Sequence, residues 1–456
     1  MDPERRYFAE LLEWVRHEER ILAVHQARPG WAAVNSSAAW IVQFCEAPDG
    51  RTLEEIREGF AQRFGPVSDE EVSAWLDALE GGGLLSQGSE RSAATALEPP
   101  PYESYRVEHV YVELLARCNL KCIHCYMEGA PERDEILTPE EVCRLLADFR
   151  AEQGQYVTLA GGEPLIYPAF AEVAWEAAGL GFFGTVITNG TLLKEKHLDL
   201  IDDLGFNLAI SLDGITPEVN QEIRGRSSTP IIAALERALE ALGPDRVILS
   251  YTPVKANLAD LPLLFRFVRE KGVRRLNLSL YEQSGRAHAY GDRLNLSPAE
   301  RVQVMETIYR NALELAGEVE IDFNDTREIL SQFQCDRKPG ELHPLWKGVR
   351  VDSRGDVFPS SFGAAPEFRL GNVREGPLAE ILRADVLRQL HQTLSDRFRK
   401  IPRCSGCVWR QICRGGSVTS SYCATGHLFS PDAYCEGYLK MFPEVAVRLA
   451  DLAVPS

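Results

Sequence analysis

Between residues 106 and 320 the apolar positions fall into short runs separated by amphipathic stretches. HVYVELL, YVTLA, GTVIT, NLAISL, RVILSYT and RLNLSL are brief, apolar and largely β-branched, and read as strands. The stretches between them read as helices. One opens on Thr138, Pro139 and Glu141, a capping box with proline at the first helical position. Six strand–helix units with buried strands predict an α/β fold whose parallel sheet is doubly wound or curled into a partial barrel. Ligands of such sheets bind at the C-terminal ends of the strands.

Residues 1–87 carry a different pattern. Thr52 with Glu55 forms a capping box ahead of Leu53, Ile56, Phe60 and Phe64 on one helical face. Ser68 with Glu71 forms a second box ahead of Val72, Trp75, Leu76 and Leu79, and that helix stops at Gly81-Gly82-Gly83. WAAV reads as a short strand, and SSAAWIVQFCEA as a helix started by Ser36 or Ser37. Short strands with three compact helices predict a winged-helix-like module. Residues 88–105, rich in Ser, Ala and Pro, read as a linker. Residues 321–456 have shorter elements and hold six of the eleven cysteines.

A length of 456 residues, with 45% hydrophobic and 25% charged residues, suits a soluble globular chain of about three domains. Acids outnumber bases 67 to 49, a net charge of −18, which argues against nucleic acid or an anionic membrane as the main partner. No apolar run approaches the roughly 18 residues of a spanning helix. The start, MDPERRYFAELLEWVRHEER, lacks a signal-peptide core, so a cytoplasmic location is expected. There, clustered cysteines are metal ligands or redox groups more often than disulfides.

Three of those cysteines, Cys118, Cys122 and Cys125, follow directly after the first strand, in ARCNLKCIHCYMEG. A structural zinc site needs four ligands, usually from two knuckles. His124 is a poor fourth, because it directly precedes Cys125. Three thiolates suit three irons of a [4Fe–4S] cluster and leave the fourth iron open. CNLKCIHCY resembles the signature of the radical S-adenosylmethionine (SAM) enzymes, in which the cofactor chelates that iron. The resemblance continues in order: GGEP (Gly161, Gly162, Glu163) after the second strand, TNG (Thr188, Asn189) after the third, SLDG (Ser211, Asp213) after the fourth, and IRG with Arg224. It implies that the two glycines let backbone carbonyls approach the ligand, that Glu163 supplies negative charge, and that Ser211 and Asp213 meet the methionine or ribose portion. Arg224 is assigned to the cofactor carboxylate or the substrate.

Cys404, Cys407, Cys413 and the more distant Cys435 supply four thiolates, enough to close a cluster or a structural zinc. They resemble the SPASM extension of radical enzymes, which usually holds two auxiliary [4Fe–4S] clusters. Two positions depart from it: CRGGS puts Ser417, and GDVFPSS puts Ser360 and Ser361, where relatives have cysteines. Both losses fall in the first auxiliary set and strand Cys335, so one auxiliary [4Fe–4S] cluster is expected. Cys45 and Cys143 read as small core residues, and Cys423 has no assigned role. Residues 20–87 resemble a PqqD-like module, the RiPP recognition element, which binds a leader peptide as an added strand.

These resemblances imply three domains: a peptide-recognition domain (1–87), a partial (β/α)6 barrel (106–320) and a SPASM-like domain (321–456). The expected function is a radical SAM peptide maturase that cleaves SAM reductively and abstracts hydrogen from a ribosomally made peptide, giving a crosslink or an oxidised side chain. A flavodoxin- or ferredoxin-type donor would supply the electron. Two alternatives stay open: a radical enzyme acting on a tetrapyrrole or other small molecule, such as a haem precursor, and a non-catalytic zinc scaffold. No catalytic acid or base is named by the sequence; Tyr281, Glu282 and Arg286, in the loops after the fifth and sixth strands, are unranked candidates for that role.

Overall fold

The computed structural model describes residues 5–27, 30–88, 106–323, 348–359 and 366–453. Cys335, Ser360, Ser361 and the expected linker, apart from Gly88, lie outside them.

The N-terminal unit holds two small antiparallel sheets and three helices. Strands β1 (Arg6–Ala9), β2 (Leu12–His17), β3 (Arg20–His25), β4 (Trp31–Val34), β5 (Arg51–Thr52) and β6 (Leu85–Gly88) pair in the orders β5-β1-β6 and β2-β3-β4. Of these, only β4 is the WAAV strand read from the pattern. Helix α1 (Ser36–Phe44) is capped by Asn35, whose side chain accepts from the Ala38 N–H, and not by Ser36 or Ser37. The expected capping boxes of α2 (Leu53–Phe64) and α3 (Asp69–Gly81) are both formed. Strand β3 is buried on both faces. Ala23 joins the unit's own core, while Leu22 and Val24 join the main core of the molecule. The sheet β2-β3-β4 packs on the long helix Cys435–Ala453. Gln26 ties the two parts further, donating to the Val408 carbonyl at 3.0 Å and accepting from Gln411 Nε2 at 2.8 Å.

The central sheet contains all six expected strands: β7 (His109–Glu113), β8 (Tyr156–Ala160), β9 (Phe183–Thr188), β10 (Asn207–Ser211), β11 (Val247–Tyr251) and β12 (Arg275–Leu278). Each pairs in parallel with the next. Two unforeseen strands extend this parallel array, one at each end. Strand β13 (Glu320–Phe323) adds beside β12, and β14 (Gly348–Val351) adds beside β7 with Arg350 opposite Tyr111. Strands β15 (Asp356–Pro359) and β16 (Gly371–Asn372) then continue antiparallel, making ten strands in all. Side chains from seven strands, from His109 of β7 through Asn277 of β12 and including Arg350 of β14, line a single cavity, so the sheet curls around it as an open barrel. Helix α4 (Pro139–Ala151) forms with its expected capping box, and Val142, Leu145, Leu146 and Phe149 bury its inner face.

Candidate functional site

The cavity at the C-terminal mouth of the barrel has a volume of about 510 Å³, and Cys118, Cys122 and Cys125 all line it. Their loop follows β7 without regular structure of its own and is held from outside. Arg286 does most of this: Nη1 donates to the Cys122 carbonyl at 2.9 Å, and Nη2 to the carbonyls of Glu128 and Gly129 at 2.8 and 2.9 Å. Its backbone N–H donates to the Cys125 carbonyl at 3.1 Å. The neighbouring Gly285, at φ 55°, packs so closely that a Cβ would stand 2.1 Å from the Tyr126 carbonyl oxygen. Arg286 thus positions the cysteine loop, whereas Tyr281 and Glu282 line the cavity.

The GGEP turn has a different local role from the one its resemblance implies. A Cβ on Gly162 would lie 2.2 Å from the Arg117 carbonyl oxygen, and one on Gly161 2.6 Å from that of Leu115. The missing side chains let the cysteine loop approach this turn, and Gly162 N–H donates to Leu115 O at 2.7 Å. Glu163 is fully buried and does not line the cavity. Its carboxylate accepts from Thr188 Oγ1 at 2.7 Å, Asn189 N at 2.9 Å and Leu165 N at 3.2 Å. Burial raises its pKa while these donors favour the charged form, so the carboxylate serves as a staple between two strand-end loops.

Asp213 does not line the cavity either. It is fully buried beneath the cavity wall, where Arg224 Nε donates to Oδ2 at 2.6 Å and His124 Nε2 lies 3.1 Å from the same oxygen. Burial alone would raise its carboxyl, but Arg224 and His124 override that and hold it well below the usual carboxylate range. This pairing turns His124 Nε2 toward Asp213, while Nδ1 is buried without a partner. Gly161, Gly162, Thr188, Asn189, Ser211 and Arg224 all line the cavity beside the three thiols. Asn189 links them directly: its Nδ2 lies 3.8 Å from Cys118 Sγ and donates to Asn119 Oδ1 at 2.9 Å. Burial pushes Cys118 up to about 12 and Cys122 to about 11, so thiolates here call for a compensating cation.

A second cavity, of about 310 Å³, gathers Cys404, Cys407, Cys413 and Cys435 with Trp409, Tyr438 and Phe442. Cys404 and Cys413 sit on two short helices with Cys407 in the turn between them, and Cys435 opens the long C-terminal helix. Ser417 is not at this wall. It caps the helix Val418–Thr425, accepting from Ser420 N at 3.2 Å, and its own N–H donates to Asp432 at 2.6 Å. Arg397, fully buried, donates to the carbonyls of Gly415 and Gly416 at 2.9 Å. Cys45 is fully buried and Cys143 packs half-buried against the main core. Cys423 is half-buried.

Among the described residues no three Cys, His, Asp or Glu side chains are grouped as donors to a single metal ion. The thiols ring two cavities instead, an arrangement suited to clusters in which each thiolate takes a separate iron. With a four-iron cluster, the three thiols of the first site would leave one iron for a non-protein ligand, and the four thiols of the second could supply one to each iron.

Comparison with known proteins agrees with this division. Residues 112–268 match the Radical SAM superfamily, and residues 344–408 match an iron-sulfur cluster-binding domain, SPASM. The chain is 26% identical to Fe-coproporphyrin III synthase of Methanosarcina barkeri over 70% of this chain and 85% of that protein. It is 24% identical to the antilisterial bacteriocin subtilosin biosynthesis protein AlbA of Bacillus subtilis over 82% of each. In fold it resembles SuiB of Streptococcus suis bound to S-adenosylmethionine, with a TM-score of 0.57 and 15% identity over 94% of this chain and 99% of that one.

Proposed function

We propose that this chain, a radical SAM superfamily enzyme with a SPASM iron–sulfur cluster-binding domain, matures a ribosomally made precursor peptide. The observation that carries the reading is the 510 Å³ cavity at the strand ends, where three thiols and the strand-end loops converge. When bound, the cluster and S-adenosylmethionine supply reductive cleavage of a carbon–sulfur bond and, through it, hydrogen-atom abstraction. Cys118, Cys122 and Cys125 would hold the cluster. Thr188, Asn189, Ser211 and Arg224 would orient the cofactor, with Glu163 and Asp213 fixing those loops from behind. Cys404, Cys407, Cys413 and Cys435 would hold one auxiliary [4Fe–4S] cluster, since Ser417 is held in a helix cap.

Support for a peptide substrate comes from the N-terminal unit. Its sheet β2-β3-β4 ends in two edge strands that pair with no further strand among the described residues, as strand addition by a leader requires. Likeness to the bacteriocin biosynthesis protein AlbA and to SuiB, whose structure is known with its precursor peptide SuiA, points the same way. A tetrapyrrole substrate is the second reading. It is favoured by the 26% identity to Fe-coproporphyrin III synthase, which covers 70% of this chain.

The test is anaerobic reconstitution with iron and sulfide counted alongside 5′-deoxyadenosine release. About eight irons per chain, falling to about four with loss of release in the Cys118/Cys122/Cys125 triple Ala variant, is the expected result. Zinc in place of iron, or release that survives the triple change, would overturn the reading. Hydrogen loss from a precursor peptide, set against decarboxylation of a haem precursor, separates the two substrates.

A further inference from the structure

The cavity contains a charged group that the cofactor assignments leave unused. Arg350 lies on β14, opposite Tyr111 of β7, and lines the cavity although its match falls within the SPASM segment. Strand β14 joining the barrel edge in parallel is what brings this residue inside. Its side chain is buried, with 4% of the residue exposed. Nη1 donates to Glu113 Oε1 at 3.0 Å, and that same oxygen accepts from Tyr126 Oη at 2.7 Å.

The other edge of the guanidinium is different. Nε and Nη2 are shielded from solvent and have no hydrogen-bond partner among the described residues. A buried donor left without a partner is costly, and more so when charged, so two on one arginine call for an occupant. Nε and Nη2 together form the edge that takes a carboxylate through two parallel hydrogen bonds. The plane of that fork is set from both neighbouring rings, with the guanidinium carbon 4.9 Å from the Phe358 centroid and 5.5 Å from that of Tyr126. Among the described residues lining this cavity the sole carboxylate is Glu282, while Glu113 sits behind the wall and is already engaged by Nη1 on the opposite side of the fork.

We propose that the Nε/Nη2 edge of Arg350 binds a carboxylate of the substrate and so fixes which part of it faces the cysteine loop. The assignment rests on the reading of this cavity as the active site and narrows the substrate to an acid. A peptide's terminal or side-chain carboxylate and a tetrapyrrole propionate share this chemistry. The methionine carboxylate of the cofactor is the competing source, and the test separates it from substrate.

The experiment uses the reconstituted protein saturated with S-adenosylmethionine and titrates two probes by calorimetry, N-acetylglycine and its neutral counterpart N-acetylglycinamide. Wild type should bind the acid at least tenfold more tightly than the amide, and Arg350→Gln should abolish the preference. Arg350→Lys keeps a cation for Glu113 and protects the fold, yet lacks the fork, so it should lose most of the preference as well. It decides the matter if the Gln variant does not fold. Equal binding of acid and amide by wild type, or an undiminished preference in Arg350→Lys, would sink the proposal. A tenfold loss of S-adenosylmethionine affinity in Arg350→Lys would assign the edge to the cofactor instead. Release of 5′-deoxyadenosine from the same wild-type preparation reports on the radical reading independently, so failure of one is not mistaken for failure of the other.

Discussion

The two cysteine-ringed cavities differ in what surrounds the sulfur. The first is the larger, about 510 Å³ against 310 Å³, and its wall includes polar strand-end groups such as Thr188, Asn189, Ser211 and Arg224. The second is walled by Trp409, Tyr438 and Phe442 and has a fourth thiol where the first has open space. Three thiols with a polar annexe suit a cluster that must also hold a small molecule. Four thiols among aromatic rings suit a cluster that only stores or passes electrons. On the proposed reading the same ligand type would serve two roles, separated by the fourth position and by the wall.

The sharpest way to break this comparison is to empty the second cavity alone. Replacing Cys404, Cys407, Cys413 and Cys435 by Ala should remove about four irons and leave S-adenosylmethionine binding by the barrel intact. Turnover of the substrate should fall to background. If the variant loses all its iron, the two sites are not independent and the contrast fails. The risk is real, because the helix Cys435–Ala453 also supports the N-terminal sheet.

Asp213 tests how the first cavity is supported. It is fully buried against Arg224 and His124, and Thr252 N donates to its Oδ1 at 2.7 Å. Asp213→Asn leaves Arg224 without its counter-charge, a change of about 3–5 kcal/mol in stability by denaturant unfolding. S-adenosylmethionine affinity should fall with it, since Arg224 lines the cavity. Wild-type stability in this variant would mean that Asp213 is not the anchor described.

The third effect is smaller and follows pH. His109, deep in the barrel, shares a 2.8 Å hydrogen bond with Thr158 Oγ1, and burial lowers its pKa to about 4. The unfolded chain takes up that proton near pH 6.5, so stability from this residue is complete above about 6.5 and is lost as pH falls toward 4. The loss should be about 3 kcal/mol at the low end. Melting temperatures of wild type and His109→Gln should therefore converge as the medium is acidified through this window. Parallel curves would show that the histidine is not held neutral.

How far the sequence reveals such differences depends on whether the cause is local. All six barrel strands, the capping boxes at Thr52, Ser68 and Thr138, and the positions of all seven paired thiols follow from short-range patterns. Strand β2 was hidden by its charge and by its turn. His17 pairs with Arg20 across Glu18-Glu19, with Glu18 at φ 51°, where Asn-Gly would have announced a hairpin. Strand β14 escaped because its pairing with β7 spans more than 200 residues of sequence, and Arg350 with it. Glu163 and Asp213 were recognised, but their places behind the cavity wall were not. A motif records that a carboxylate is needed, not which way it faces. Arg286 was among the candidates, yet nothing in its surroundings says that it grips the carbonyls of the cysteine loop.

The smallest expected effect concerns Ser417. The resemblance to SPASM extensions leads one to expect a cysteine at this position, and the space around it is already organised by hydrogen bonds. Asp432 accepts from Ser417 N at 2.6 Å, Ser420 Oγ at 2.7 Å and Tyr434 N at 2.8 Å, while a Cβ on Gly416 would stand 2.5 Å from its carboxylate. Ser417→Ala removes only the cap to Ser420, so it should lower stability by about 1 kcal/mol with iron unchanged at about eight per chain. Ser417→Cys is the more telling variant. It restores the family's ligand type at a backbone held by Asp432 and by the helix start, and it should also leave the iron at about eight. A rise toward twelve irons would mean that this region is a latent cluster site missing one thiol, and the second cavity would then no longer stand alone in its domain.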